Sequence, residues 1–227
     1  MADATTLISP DRASTDLRRA ALGALLALVG YTLLPTFRAV VEAIIGSNTS
    51  VYPSPSEVPQ NEWWGISGGV IFFLIGIGVL LLVLNLPTSP LGRALGVIGG
   101  AGFLLSGAGA RAMYSLASAN LTHTGADSGA QTAALWAVNI ANGGPLILAG
   151  CSFAGWLILY GLSRTGLSTI GTGVGITVAV AGMLIALAEM SAAFFPAQFL
   201  YVPIFMLLTI VLYRRAGRMG QTATDGS

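Results

Sequence analysis

The sequence predicts an all-α protein: a polytopic transmembrane bundle of six helices with both termini in the cytoplasm. Three observations carry that expectation. Charged residues make up 8% of the 227-residue chain and apolar types 54%, against about 25% charged in ordinary soluble proteins. So few charges could not cover a soluble fold, whereas lipid-facing surface needs no polar cover. Six apolar runs each offer 18 or more residues, close to the roughly 20 that cross about 30 Å of hydrocarbon. Lysine is absent, and eight of the ten arginines fall where a cytoplasmic face would need them. Arg12, Arg18 and Arg19 precede the first run, Arg93 and Arg164 sit in short connections, and Arg214, Arg215 and Arg218 follow the last. That is a positive-inside pattern.

Along the chain, residues 1–17 are rich in Ala, Ser, Thr and Asp and are expected to be a disordered cytoplasmic tail. The membrane domain then occupies 18–215. Its first span, about Arg18 to Ile45, is interrupted by Pro35, which removes a backbone donor and predicts a kink. Residues 47–60 contain three prolines and form an outer loop. Trp63 and Trp64 mark the outer interface, where indole rings favour the headgroups. The second span continues to about Leu86 and turns at Pro87-Thr88-Ser89-Pro90 into the third, about Leu95 to Ser118. Residues 119–131 are a second outer loop. The fourth span, Thr132 to Leu162, contains Gly143-Gly144-Pro145. Arg164 lies in a short inner loop before the fifth, Leu167 to Phe195. Pro196 turns the chain, the sixth span ends at Tyr213, and 216–227 are a second disordered tail. The run after Arg19 reads as a retained helix, because no small-x-small cleavage site leads into a soluble domain. The third and fifth spans share a glycine-rich first half and a charge towards the outer end, the plan of a repeated hairpin.

Gly96-xxx-Gly100 and Gly171-xxx-Gly175 place glycines four apart, and Ser106-xxx-Ala110 continues a small face. Such faces let helix backbones approach closely. They serve packing within the bundle or, alternatively, a homo-oligomer or membrane-complex partner. The lipid bilayer itself is the one partner that composition requires.

Several polar residues fall inside the apolar segments, where each is expensive and so a candidate functional group. At 1.5 Å per residue, Arg111 lies roughly 24 Å up the third span. Arg38 and Glu42 sit near the outer end of the first span, Glu189 near that of the fifth, and Asn139 and Asn142 in the outer part of the fourth. Arg38 and Glu42 can pair along one helix, and Arg111 and Glu189 between helices. Tyr114 and Ser115 share the face of Arg111. Two readings stay open. Either these groups are interhelical bonds that set the bundle's register, or they line an outward-opening pocket for a small polar or anionic ligand. Trp136, Phe194 and Phe195, with Trp63, Trp64 and Tyr114, are expected to form an interfacial belt.

Other chemistry is excluded or weak. One cysteine, Cys151, precludes an intrachain disulfide and a Cys/His zinc site by count, and one histidine, His123, precludes a bis-histidine haem. Cys151 is expected to be a small buried apolar residue, and His123 to be solvated in a loop. No paired-carboxylate, H-E-x-x-H, G-x-S-x-G or P-loop pattern is present. The chain is therefore expected to be non-enzymatic, to need no cofactor, and to reside in the plasma membrane. Scattered single arginines on one membrane face do not suit nucleic acid.

Between Pro145 and Leu184, Gly155-Trp156-Leu157 closes a helix, Ser163-Arg164 forms a turn, and Gly182-Met183-Leu184 lies in a glycine-rich helix. These elements resemble the second half of a bacterial, actinobacterial-type family of six-helix membrane proteins of unknown function. An arginine late in the third helix also recurs there, and Arg111 is its counterpart. The family's proline-arginine after the turn is missing, with Ser168-Thr169 near that place. The resemblance implies a six-helix membrane fold and no activity.

Overall fold

The computed structural model describes residues 10–45, 62–124, 128–190 and 194–224. They form seven helices: α1 (Pro10–Ile45), α2 (Glu62–Asn85), α3 (Pro90–Thr124), α4 (Ser128–Leu162), α5 (Arg164–Ile170), α6 (Thr172–Met190) and α7 (Phe194–Thr224). Among the described residues there is no strand. Six of the seven are long and apolar enough to cross a bilayer, and α5 is the exception.

The burial pattern shows which solvent this surface suits. On α1 the inward face is Leu17, Ala20, Ala24, Ala27 and Tyr31, at the three- and four-residue spacing of one helical stripe. Its outward face carries Leu22, Leu25, Val29 and Leu33, all exposed. Large aliphatics outside and alanines inside invert the soluble pattern and fit a lipid-facing bundle.

Consecutive spans pack side by side in the order α1, α2, α3, α4, α6, α7, and α7 returns to α1 to close a ring. Glycines set the distance at several seams. Gly23 on α1 and Gly78 on α2 oppose each other so closely that a Cβ on either would come within 2.6 Å of the other's carbonyl oxygen. Gly161 on α4 and Gly175 on α6 make the same reciprocal contact. Gly96 and Gly100 on α3 face Val83 and Leu80 of α2. The glycine faces described at these seams are thus used for packing within the chain.

Ser14 Oγ donates to the carbonyl of Ala216 at 3.1 Å, and both residues are buried. Both ends of the bundle's chain therefore lie on one side, as an even number of crossings requires. Arg93, Arg215 and Asp16 line one cavity there, so the arginine-bearing connections collect at the same end.

Several boundaries differ from expectation. Residues 10–17 and 216–224 are helical rather than disordered, because Leu17 and Ala216 pack into the core. The helix of α1 runs through Pro35 without a break. Residues 119–124 and 128–131, expected to be loop, extend α3 and α4 to 35 residues each, or about 52 Å. That exceeds the hydrocarbon layer, so the two helices continue past it as a hairpin that includes His123. Pro196 lies in the first turn of α7, where proline's missing donor costs little.

The short inner loop contains a helix of its own. Ser163 caps α5 by accepting a hydrogen bond from the Gly166 amide at 2.9 Å. Gly171 ends it at φ 87°, a conformation that favours glycine. Gly171 and Gly175 consequently do not share a helix face, because a helix boundary separates them.

Candidate functional site

Of the residues singled out from sequence, the side chains of Arg38, Glu42, Tyr114, Asn139 and Asn142 lie outside the described residues, as do those of Trp63, Trp64, Phe194 and Phe195. Arg111 and Glu189 are described, and they occupy opposite environments. Arg111 is exposed on α3, with its Cβ beside Gly69 of α2. Glu189 is 3% exposed near the end of α6. The expected Arg111–Glu189 bridge is not the contact that Glu189 makes. Its carboxylate oxygen Oε1 accepts a hydrogen bond from the Tyr201 hydroxyl of α7 at 3.4 Å.

Arg111 has a different explanation. Arg93 and Arg111 are both exposed on α3, eighteen residues apart and hence about 27 Å along the axis. That spacing nearly matches the hydrocarbon thickness, and no charged residue lies between them. A guanidinium at each end can reach its own headgroup layer.

The Glu189 site is built from five helices, with α1, α3, α4 and α7 around the carboxyl of α6. Gly150 of α4 lies directly against the carboxyl group, so a side chain at 150 would occupy the space Glu189 fills. Tyr31 of α1 stacks on Tyr201 at 4.5 Å between ring centroids and an interplanar angle of 16°. Phe103 of α3 meets Tyr31 edge-on at 6.1 Å and 90°. Oε2 of Glu189 has no hydrogen-bond partner among the described residues. A carboxylate without a cation is costly in such surroundings, and a proton on Oε2 would remove the charge.

From this carboxyl a file of rings continues through the bundle. Phe205 stacks beside Tyr31 at 5.7 Å, Phe153 on Phe205 at 5.4 Å, Trp156 on Phe153 at 5.3 Å, and Tyr160 on Trp156 at 5.0 Å. All are buried. Trp156 Nε1 and the Tyr160 hydroxyl also lack hydrogen bonds of standard geometry among the described residues. Sequence reasoning missed Tyr31 and Tyr201. Their signal was a hydroxyl within an apolar run, the criterion that did single out Glu189.

On its outer part, α4 presents a different surface. Trp136, Ile140 and Ile147 are exposed at 61%, 68% and 49%, and with Gly143 they recur at intervals of four, three and four, one face of a helix. Among the described residues, nothing lies within 4 Å of where a Cβ on Gly143 or Gly144 would stand. Unlike Gly23, Gly78, Gly161 and Gly175, these glycines face open space.

Chemically, the interior can hold a proton or a small cation at Glu189. No group of three or more metal-ligating side chains occurs among the described residues, and Cys151 is half-buried beside the Glu189 region. Compared with protein-family models, curated proteins and solved structures, the chain finds no match.

Proposed function

We propose that this multi-pass membrane protein is a non-enzymatic accessory subunit that associates with a second membrane polypeptide, or with a copy of itself, through the outer part of α4. The open face of Trp136, Ile140, Gly143 and Ile147 carries this reading. In lipid, helices associate where a small residue lets backbones approach and larger neighbours interdigitate. The glycines paired at the internal seams are already covered, whereas Gly143 is not. The arginine distribution supports placing both termini in the cytoplasm, with this α4 surface towards the outside of a bacterial plasma membrane.

The test is extraction from native membranes into polymer-bounded bilayer discs, followed by mass measurement of the intact particle. The expected particle contains the 23.2 kDa chain with a second polypeptide in fixed ratio. Gly143→Leu should release that polypeptide while leaving the chain's thermal unfolding unchanged, because the position has room. A monomer in both preparations would refute the reading.

Glu189 favours a second reading, a small transporter or ligand-binding protein in which this carboxyl takes up a proton or cation. Its support is the buried Oε2, which has no hydrogen-bond partner among the described residues. Glu189→Met, which keeps the volume, should then abolish ion-coupled uptake in vesicles without unfolding the protein.

A further inference from the structure

A cavity of about 410 Å³ opens at the end of the bundle that carries both termini. It lies where the start of α1, the α2–α3 turn, α5 and the last turns of α7 come together. Arg93 and Arg215 line it, together with Asn85, Ser168, Thr169 and Asp16. Asp16 pairs with Arg19, at 3.8 Å. Neither Arg93 nor Arg215 has a carboxylate within ion-pair distance among the described residues. Two guanidinium groups therefore line a shared space with Asp16 as the one carboxylate beside them and no ion pair to it, and phosphate suits the planar fork of the guanidinium.

The other groups restrict the ligand further. Ser168 and Thr169 both spend their hydroxyl protons on the carbonyl of Thr165, at 2.9 and 2.7 Å. Asn85 Nδ2 donates to the carbonyl of Leu81 at 2.8 Å. What these three side chains still offer is mainly acceptor oxygen. Behind the wall, the buried Tyr160 hydroxyl lies beside Thr169 and Arg215 without a hydrogen bond of standard geometry. One side of the cavity is apolar, and its Leu84 is 55% exposed on the lipid-facing surface of α2.

We propose that this cavity binds the phosphate ester of a net-anionic headgroup whose remaining substituent carries hydroxyls, presented by a membrane lipid with its chain along Leu84. The arginines take the phosphate, and Asn85, Ser168 and Thr169 accept from the hydroxyls. A choline headgroup satisfies neither requirement, since it is net neutral and has no donor. This site is independent of the α4 surface.

Full-length protein in non-ionic detergent is titrated with phosphatidylglycerol, and with phosphatidylcholine of the same chain length, with native mass spectrometry and thermal unfolding as readouts. Phosphatidylglycerol should bind at least about tenfold more tightly, and Arg93→Gln/Arg215→Gln should remove that preference. Arg164→Gln, exposed on α5 but outside the cavity lining, should retain it. Should the double variant fail to fold, Arg93→Gln alone carries the test, because its side chain is exposed. Glycerol phosphate competing as well as the lipid would uphold the phosphate site and assign its ligand to the aqueous phase. Equal binding of the two lipids, or a variant that keeps the preference, overturns the proposal.

Discussion

Glu189 and Gly150 specify each other: the carboxyl fills the space that any larger residue at 150 would need. Truncating Glu189 to Ala therefore leaves a hole, at a cost of about 2–3 kcal/mol. Glu189→Met retains the volume and discards the unsatisfied oxygen, and apolar replacement of a buried polar group is often neutral or stabilising. Thermal unfolding in detergent should rank Met at or above the native protein and Ala well below. A collapse of the Met variant would mean that the Tyr201 bond is indispensable. The glycines give a contrast of sign. Gly78→Ala forces a methyl against the Gly23 carbonyl and should lower stability by at least about 1–3 kcal/mol. Gly68→Ala, inside α2 with no described residue within 4 Å of the new Cβ, should raise it by about 0.5–1 kcal/mol.

Helix α5 depends on its two ends. Ser163→Ala removes the oxygen that accepts from Gly166 and should cost about 1 kcal/mol. Gly171→Ala places a side chain at φ 87° and ψ 152°, a region essentially reserved for glycine, and should cost about 1–3 kcal/mol. Both should reduce amide protection in 164–170 by hydrogen exchange more than in α4. This helix also shows where sequence reading stops. Runs such as Trp63–Leu86 announce themselves because twenty apolar residues admit one interpretation. Seven residues with a Ser cap and a closing Gly are indistinguishable from a turn, and the Gly171-xxx-Gly175 spacing suggested one face across what is a helix boundary. Polarity likewise suggested loops at 119–124 and 128–131 and disordered tails over 10–17 and 216–224, yet a polar stretch extends a helix once a neighbour packs against it. At the interior site, Glu189 was visible because a carboxyl in an apolar run is rare. Its partner was not, since hydrophobicity and charge counting favour an arginine over a tyrosine one helix away.

The closed ring makes the two ends of the bundle interdependent. Truncation after Tyr213 removes Arg215 from the inner cavity and Ala216 from its bond with Ser14. It should lower the unfolding temperature by several degrees, and Ser14→Ala should reproduce part of that loss. Single cysteines introduced at Ala13 and Gly217, in a Cys151→Ser background, should be labelled from the same side of the membrane. With that side in the cytoplasm, as proposed, a membrane-impermeant thiol reagent should reach neither in intact cells. Labelling of one without the other would break the ring.

The bond between Tyr201 and Glu189 joins two consecutive spans, α6 and α7. While a ribosome is still making α7, α6 has already brought a carboxyl to the translocation channel whose tyrosine does not yet exist. Lateral release of α6 into lipid is therefore more favourable in company with α7, whose Tyr201 hydroxyl donates to Glu189. The two helices should leave the translocon as a hairpin, and a nascent chain stalled between them should linger at the channel.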